Sequence, residues 1–142
     1  MRSVVIHLVR VTRDTVSERL SQFAQAQNGE NWIYPPQLSQ PALYIEHYDD
    51  YEREFEQEDL QPLISALGQK PDVTIIANVS GRVEGDIEVL AFAECLLSAF
   101  QGVAQDEYSK HCWSLAEIRS GAKQDGHKFF DYEGWHRSKS TG

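Results

Sequence analysis

The sequence predicts an α+β fold in which helices pack on a four-stranded mixed sheet. Two segments, residues 3–11 and 72–79, are rich in β-branched residues and nearly continuous in apolarity. This pattern is typical of central strands that are covered on both faces. Two further segments, residues 42–47 and 103–108, are half polar, as edge strands are. Segments with helical periodicity lie between them.

The ranking of the four strands by apolarity indicates a strand order. In a ferredoxin-like sheet the order is 4-1-3-2, so that the first and third strands are central and the second and fourth are edges. The sequence fits that arrangement, or a related one, with an extra helix between strands two and three. The alternative is a mixed α/β sheet in which the extra helix is a true crossover connection.

The first strand and helix come from the N-terminal part of the chain. His7 lies in the middle of the first strand, where we expect a buried, hydrogen-bonded histidine rather than a ligand. Residues 14–27 predict a helix with Asp14 as its N-cap and Asn28-Gly29 as its end. One face of that helix is apolar at a spacing of 3.6 residues: Val16, Leu20, Phe23 and Ala24.

Residues 30–41 predict a loop, because three prolines remove amide donors from it. We expect Trp32 and Tyr34 in this loop to fold back onto the core. In the strand that follows, Leu43 and Ile45 alternate with Tyr44 and Glu46, so one face is apolar and the other exposed.

The second half of the chain predicts two more helices and a cap. Residues 59–67 form the extra helix, with Pro62 in its first turn, and residues 86–101 form the longest helix, which Gly102 ends. Its predicted buried face contains Val89, Leu90, Ala93, Leu96, Leu97 and Phe100. Ser114 and Glu117 have the spacing of a capping box at the start of a short helix.

The chain is predicted to be one domain over residues 1–137, followed by a disordered tail at 138–142. The aromatic residues within 129–135 are expected to attach the C-terminal segment to the body. A domain of this size buries roughly 68% of its unfolded surface, so its stability needs no metal or disulfide.

The most distinctive stretch is the acidic one from Tyr44 to Asp59. It contains eight acidic residues and one base, Arg53: Glu46, Asp49, Asp50, Glu52, Glu54, Glu56, Glu58 and Asp59. Aromatic residues recur through it at helical spacing, which predicts a helix or helical turn over residues 48–56. Like charges at i and i+4 would strain such a helix, so stability alone does not explain the stretch.

Charge and cysteine usage narrow the class of protein. The net charge of −9 and the pI near 4.9 argue against a nucleic-acid binder and against docking to an anionic membrane. An acidic domain instead attracts basic partners. Cys95 and Cys112 form no CxxC pair, and the N-terminus is too charged for a signal peptide or a membrane span, so we expect a cytoplasmic protein.

No motif in the chain predicts a reaction. Neither the histidines nor the cysteines have a known ligand spacing, so we expect no metal and no cofactor. Cys112 follows His111 directly, and adjacent strand residues point to opposite faces. An alternative ligand-binding site would combine the Ser80-Gly81-Arg82 loop with Asp106 and His111, provided that these groups line one pocket.

The segments SGRVEGDIEVLAFAECLL and GVAQDEYSKHCWSLAEI resemble those of small acidic immunity proteins of bacterial polymorphic toxin systems. The resemblance covers the C-terminal half and implies a non-enzymatic protein that neutralises a cognate toxin, for example a nuclease with a basic cleft. Aromatic anchors and carboxylates of the acidic stretch would contact such a toxin: Glu46, Tyr48, Asp49, Asp50, Tyr51, Glu52, Glu54 and Glu56.

Two alternatives to an immunity protein remain at this stage. One is an enzyme or small-ligand binder that uses the Ser80-Gly81-Arg82 loop. The other is a homodimer or larger homo-oligomer, with aromatic residues of segment 30–41 or segment 129–135 at the subunit interface.

Overall fold

The computed structural model describes residues 2–27, 31–35, 41–49, 57–81, 84–107, 111–124 and 126–131. Its strands are β1 Arg2–Val9, β2 Gln25–Gln27, β3 Asn31–Tyr34, β4 Leu43–His47, β5 Val73–Val79, β6 Gln101–Asp106, β7 Lys123–Gln124 and β8 His127–Lys128. Its helices are α1 Arg13–Phe23, α2 Gln57–Leu67, α3 Asp86–Leu97 and α4 Leu115–Ser120. The α+β class is therefore confirmed.

The main sheet has six strands rather than the four predicted, in the order β2-β3-β4-β5-β1-β6. All of its pairings are antiparallel. The strands predicted from the sequence are neighbours in the order β6-β1-β5-β4, with the apolar β1 and β5 inside. Strands β7 and β8 form a separate two-stranded sheet.

The two additional strands, β2 and β3, correct two predictions. Residues 25–27 were predicted to end the first helix, but α1 ends at Phe23 and the chain becomes extended at Ala24. Residues 31–34, predicted as a loop, pair with β4, and the prolines follow this strand rather than interrupting it. Tertiary pairing and burial of Trp32, which is 1% exposed, outweigh the local loop signal.

The larger core lies on the sheet face that α1 and α3 cover. Val16 and Leu20 of α1 and Phe92 of α3 pack there against alternate residues of the central strands. Asp14 was predicted as the N-cap of α1, but Thr12 occupies that position and its side chain accepts a hydrogen bond from the amide of Thr15.

Helix α3 is shorter than predicted, and its buried face includes Phe92, which was not predicted to be buried. It ends at Leu97, and Gly102 lies inside β6 instead of ending the helix. A Cβ at Gly102 would lie 2.2 Å from the backbone oxygen of His7, so this strand position requires glycine. Leu90, predicted to be buried, is 42% exposed.

The opposite sheet face is covered by α2, which matches the predicted extra helix. Leu63 and Leu67 of α2 pack against Val9 of β1 and Val103 of β6. His7 is buried between β5 and β6, as predicted, with Nδ1 3.0 Å from Thr74 Oγ1 and Nε2 3.0 Å from Gln105 Oε1.

The segment after β6 closes one edge of the sheet. Trp113 exchanges two backbone hydrogen bonds with Ala104 and is 1% exposed. The predicted capping box of α4 is confirmed, with both Ser114–Glu117 hydrogen bonds present. Phe129 and Phe130 are buried in the larger core, as expected, whereas residues 132–135 and the predicted tail at 138–142 lie outside the described residues.

Candidate protein-binding surface

The structure describes the first part of the acidic stretch. Glu46, Tyr48 and Asp49 are placed at the end of β4, and neither Tyr48 nor Asp49 is helical. The other proposed contact residues lie outside the described residues: Asp50, Tyr51, Glu52, Glu54 and Glu56. The predicted helix over 48–56 therefore extends beyond what the structure describes.

Strand β4 presents Glu46 to solvent. Leu43 and Ile45 are buried in the larger core, while Tyr44 and Glu46 alternate with them and are exposed. In the sheet register Glu46 lies between Asn31 of β3 and Ile76 of β5. The Glu46 carboxylate therefore lies between uncharged neighbours on the exposed face of β4, as the sequence predicts.

Tyr48, which was predicted to contact a partner, has a structural role in the fold. Its amide donates to the carbonyl oxygen of Thr74 at 2.9 Å, and its half-buried ring packs against the smaller core cluster beneath α2. Leu60 packs against the same cluster from the other side of the acidic stretch. Tyr48 and Leu60, which flank residues 49–59, therefore pack on the same cluster.

Asp49 forms an ion pair with Arg13 at the start of α1. The distance from Asp49 Oδ1 to Arg13 Nη1 is 2.6 Å, and the two side chains are 66% and 42% exposed. An exposed pair of this kind contributes under about 1 kcal/mol to stability. The chain itself thus neutralises one carboxylate of the acidic stretch.

A polar cleft of about 320 Å³ lies beside this ion pair. It is lined by side chains from α1, β4 and β5 and from the segments next to those strands: Arg13, His47, Tyr48, Asp49, Pro71, Asp72, Val73 and Thr74. This cleft could not be predicted from the sequence, because Arg13 and segments 47–49 and 71–74 are far apart along the chain.

His47 of the cleft connects β4 to α1. Its Nε2 lies 3.0 Å from Ser17 Oγ, and its ring meets Trp32 edge-on with the centroids 5.7 Å apart. A serine beside a histidine is the start of a nucleophilic site, which also needs donors for the developing oxyanion. The contacts of His47 with Ser17 and Trp32 join α1 to the sheet.

The residues of the alternative ligand site serve separate structural contacts. The carbonyl oxygen of Ser80 accepts a hydrogen bond from Arg2 Nη2 at 3.2 Å, and His111 Nε2 lies 2.9 Å from Glu117 Oε2. Asp106 Oδ2 accepts from the amide of Phe130 at 2.7 Å. Arg82 lies outside the described residues. Ser80, Asp106 and His111 are not among the residues that line the cavities of about 200 and 320 Å³.

The Asp106 contact leads to a stability prediction. Phe130 has a φ of 51°, in the left-handed region, and the buried Asp106 carboxylate holds its amide. We expect Asp106→Ala to lower the free energy of unfolding by about 1–3 kcal/mol, because a buried donor loses its acceptor. Urea unfolding measures this loss; an unchanged midpoint would mean that the bond does not support the turn.

Two properties of the described residues concern metal binding and thiol chemistry. No three His, Cys, Asp or Glu residues within it are placed to hold a metal ion. Burial raises the pKa of the Cys95 and Cys112 thiols, which disfavours the reactive thiolate form. No described helix is both long and apolar enough to cross a membrane.

Comparison with protein-family models, with curated proteins and with solved structures gave no match.

Proposed function

We propose that this chain is a non-enzymatic, cytoplasmic binding protein that captures a basic protein partner, as an immunity protein captures its toxin. The acidic stretch supports this proposal most strongly, with eight carboxylates against one base between Tyr44 and Asp59. Opposite charges across an interface accelerate association and fix its orientation. A nuclease is a suitable partner, because its substrate cleft must be basic to bind phosphates.

The way in which the acidic stretch is attached to the core favours a role in binding over a role in solubility alone. Tyr48 within the stretch and Leu60 directly after it pack on the same core cluster, so the segment between these two residues begins and ends at fixed positions. Fixing the ends of a segment lowers the entropy cost of ordering it on a partner. Glu46 extends the negative charge onto the exposed sheet face beside it.

We further infer that the fold is a ferredoxin-like variant. The antiparallel order β6-β1-β5-β4 corresponds to strands 4-1-3-2 of that arrangement, with α1 and α3 on one face. On this interpretation β2 and β3 extend one edge, and α2 covers the face that such sheets leave open. Strands β2 and β3 contain no charged residue. The acidic stretch therefore remains the main proposed contact with a basic partner.

Binding to the protein encoded by the neighbouring gene tests the proposed function. We expect Asp50→Lys/Glu52→Lys to weaken binding at least tenfold (about 1.4 kcal/mol), because like charges would then face each other. The matched control, Glu18→Lys/Glu107→Lys, changes the net charge equally at two exposed positions outside the stretch. Calorimetric titration at low and high salt measures both; equal affinity of the two variants would exclude the acidic stretch from the interface.

A further inference from the structure

Polar side chains project from the sheet face that is opposite α1 and α3. Gln27, Asn31 and Glu46 are directly opposite one another in successive strands, so they lie on one face, and all three are exposed. Tyr44, two residues before Glu46, projects from the same face and is 44% exposed. Helix α2 covers this face at β1 and β6, in the other half of the sheet. The half formed by β2, β3 and β4 therefore presents a polar surface with one exposed aromatic ring.

A cavity of about 140 Å³ lies on this half of the face. It is lined by residues of four neighbouring strands: Gln27, Asn31, Trp32, Ile33, Tyr44, Ile45, Glu46 and Asn78. Pockets for cofactors and drug-sized ligands have about 300–1,000 Å³. This cavity is therefore of the size to hold a single side chain rather than a small-molecule cofactor.

Glu46 contributes the one charge in the lining of the cavity. Among the described residues, none forms a hydrogen bond or an ion pair with its carboxylate. The next residue, His47, projects to the other face, where its ring contacts Ser17 of α1. A carboxylate can accept about four hydrogen bonds, so Glu46 keeps its full capacity to bind a cation.

The described cations lie away from this cavity, since no Lys, Arg or His is part of its lining. Arg13 is in the cleft beyond the end of β4, where it binds Asp49. Arg2 lies over the ring of Phe130 in the larger core, on the opposite face of the sheet. The negative charge at Glu46 is therefore not neutralised by these side chains.

The uncharged groups of the lining also suit a cation. Gln27, Asn31 and Asn78 each have an amide oxygen with two lone pairs. Asn78 Oδ1 accepts a hydrogen bond from Ser3 Oγ at 3.0 Å, which holds this side chain in place. The Tyr44 ring adds a π face, which attracts a cation placed over it.

We propose that this cavity, which we call the Glu46 pocket, receives an arginine side chain of a basic protein partner. The Glu46 pocket consists of the side chains of Gln27, Asn31, Tyr44, Glu46 and Asn78. The guanidinium of the arginine donates to the Glu46 carboxylate and to the amide oxygens, and its flat face lies against the Tyr44 ring. The inference rests on the proposed function for its partner, since that proposal supplies a basic protein.

Charge and shape together favour arginine as the occupant. The unpaired carboxylate selects a cation over an anion or a neutral group. The Cα atoms of Tyr44 and Glu46 are about 7 Å apart along the strand, so one planar group can contact both side chains. A guanidinium has five N–H donors in one plane and stacks on aromatic rings, whereas the ammonium of lysine is a strongly hydrated point charge.

A capped tripeptide tests the Glu46 pocket without the partner. We expect acetyl-Ala-Arg-Ala-amide to bind with a dissociation constant on the order of 1 mM. In NMR spectra, the backbone amide signals of Asn31, Tyr44 and Glu46 and the side-chain amide signals of Gln27 and Asn78 should shift in a saturable way. The citrulline analogue has the same shape without the charge, and it should bind at least about threefold more weakly. The lysine analogue should bind at least about twofold more weakly.

Single variants locate the site. Glu46→Gln should weaken binding of the arginine tripeptide at least about threefold, and Tyr44→Leu at least about twofold. The matched control Glu18→Gln removes an exposed carboxylate from α1, on the opposite face of the sheet, and should leave binding unchanged. The spectra of the variants themselves report whether each is folded. Equal binding by Glu46→Gln and Glu18→Gln, or equal binding of the arginine and citrulline tripeptides, would overturn the proposal.

Other occupants have distinct outcomes, and each would overturn the proposal. If free arginine binds at least about tenfold more tightly than the tripeptide, the pocket belongs to a free amino acid. If sedimentation shows a dimer that Glu46→Gln dissociates, a second copy of the chain occupies the pocket. If the tripeptide causes no saturable shift, the pocket does not bind arginine.

Failure of this inference is distinguishable from failure of the proposed function. If the tripeptide does not bind but Asp50→Lys/Glu52→Lys weakens binding to the protein encoded by the neighbouring gene, the pocket is wrong and the proposed function stands. If the tripeptide binds as expected but that protein does not, the pocket stands and the proposed partner is wrong.

Discussion

Trp32→Ala is expected to lower the free energy of unfolding by about 3–5 kcal/mol. The indole is 1% exposed, packs in the larger core and donates from Nε1 to Ser21 Oγ at 3.0 Å. Truncation would remove this burial from β3, the strand that joins β2 to the rest of the sheet. Because small domains have a total stability of about 5–15 kcal/mol, the loss would be a large fraction of it.

Trp32→Phe is the matched control for this prediction, since it keeps an aromatic ring and removes the indole N–H. We expect it to cost clearly less than the alanine variant when both are measured by urea unfolding, because most of the apolar burial remains. If Trp32→Ala costs under about 1 kcal/mol, residues 31–34 do not form part of the core, and the loop predicted from the prolines is the better description.

A second large effect is the dependence of stability on pH that His7 produces. Burial lowers the pKa of His7 from 6.5 to about 4, although the hydrogen bond to Gln105 opposes this shift. Gln105 Nε2 donates to Cys112 Sγ at 3.6 Å, so its Oε1 is left to accept from His7 Nε2–H. His7 Nδ1 then accepts from the Thr74 hydroxyl, and the neutral ring has both of its nitrogens satisfied.

The sign of the pH effect follows from the lowered pKa. Above pH 6.5 the ring is neutral in the folded and unfolded chain, and the stability is fully present. As the pH falls from 6.5 to 4, the unfolded chain binds a proton that the folded chain excludes. We expect a loss of about 3 kcal/mol across this interval from His7 alone.

The comparison with His7→Gln isolates this contribution, because glutamine does not titrate. The variant starts from lower stability, but the carboxylates that also titrate in this range are common to both proteins. Urea unfolding at several pH values should give a steeper loss in the original chain, by about 1.4 kcal/mol per pH unit between pH 6.5 and 4. Parallel curves would mean that the pKa of His7 is the same in the folded and the unfolded chain.

The central part of the fold follows from local patterns in the sequence. The β-branched segments became β1 and β5, and the capping box at Ser114 formed because both of its hydrogen bonds lie within one turn. Strands β2 and β3 could not be predicted in this way. Gln25–Gln27 has no strand pattern of its own, and it is extended because β3 pairs with it.

The sequence predicts which residues the candidate surface contains, but not which side chains contact each other there. The concentration of carboxylates after β4 is evident from the sequence, whereas the Arg13–Asp49 ion pair joins residues 36 positions apart. The Ser17–His47 contact and the partial burial of Tyr48 likewise depend on how α1 and α2 pack on the sheet. Helical periodicity placed Leu90 on the buried face of α3, but this residue is exposed.

The most direct test of the central claim is hydrogen exchange of the chain with and without the protein encoded by the neighbouring gene. The proposed function predicts that peptides spanning residues 44–56 exchange more slowly in the complex, because the partner covers the acidic stretch. Unchanged exchange over 44–56, with protection confined to the Ser80 and His111 segments, would contradict it and favour the alternative site.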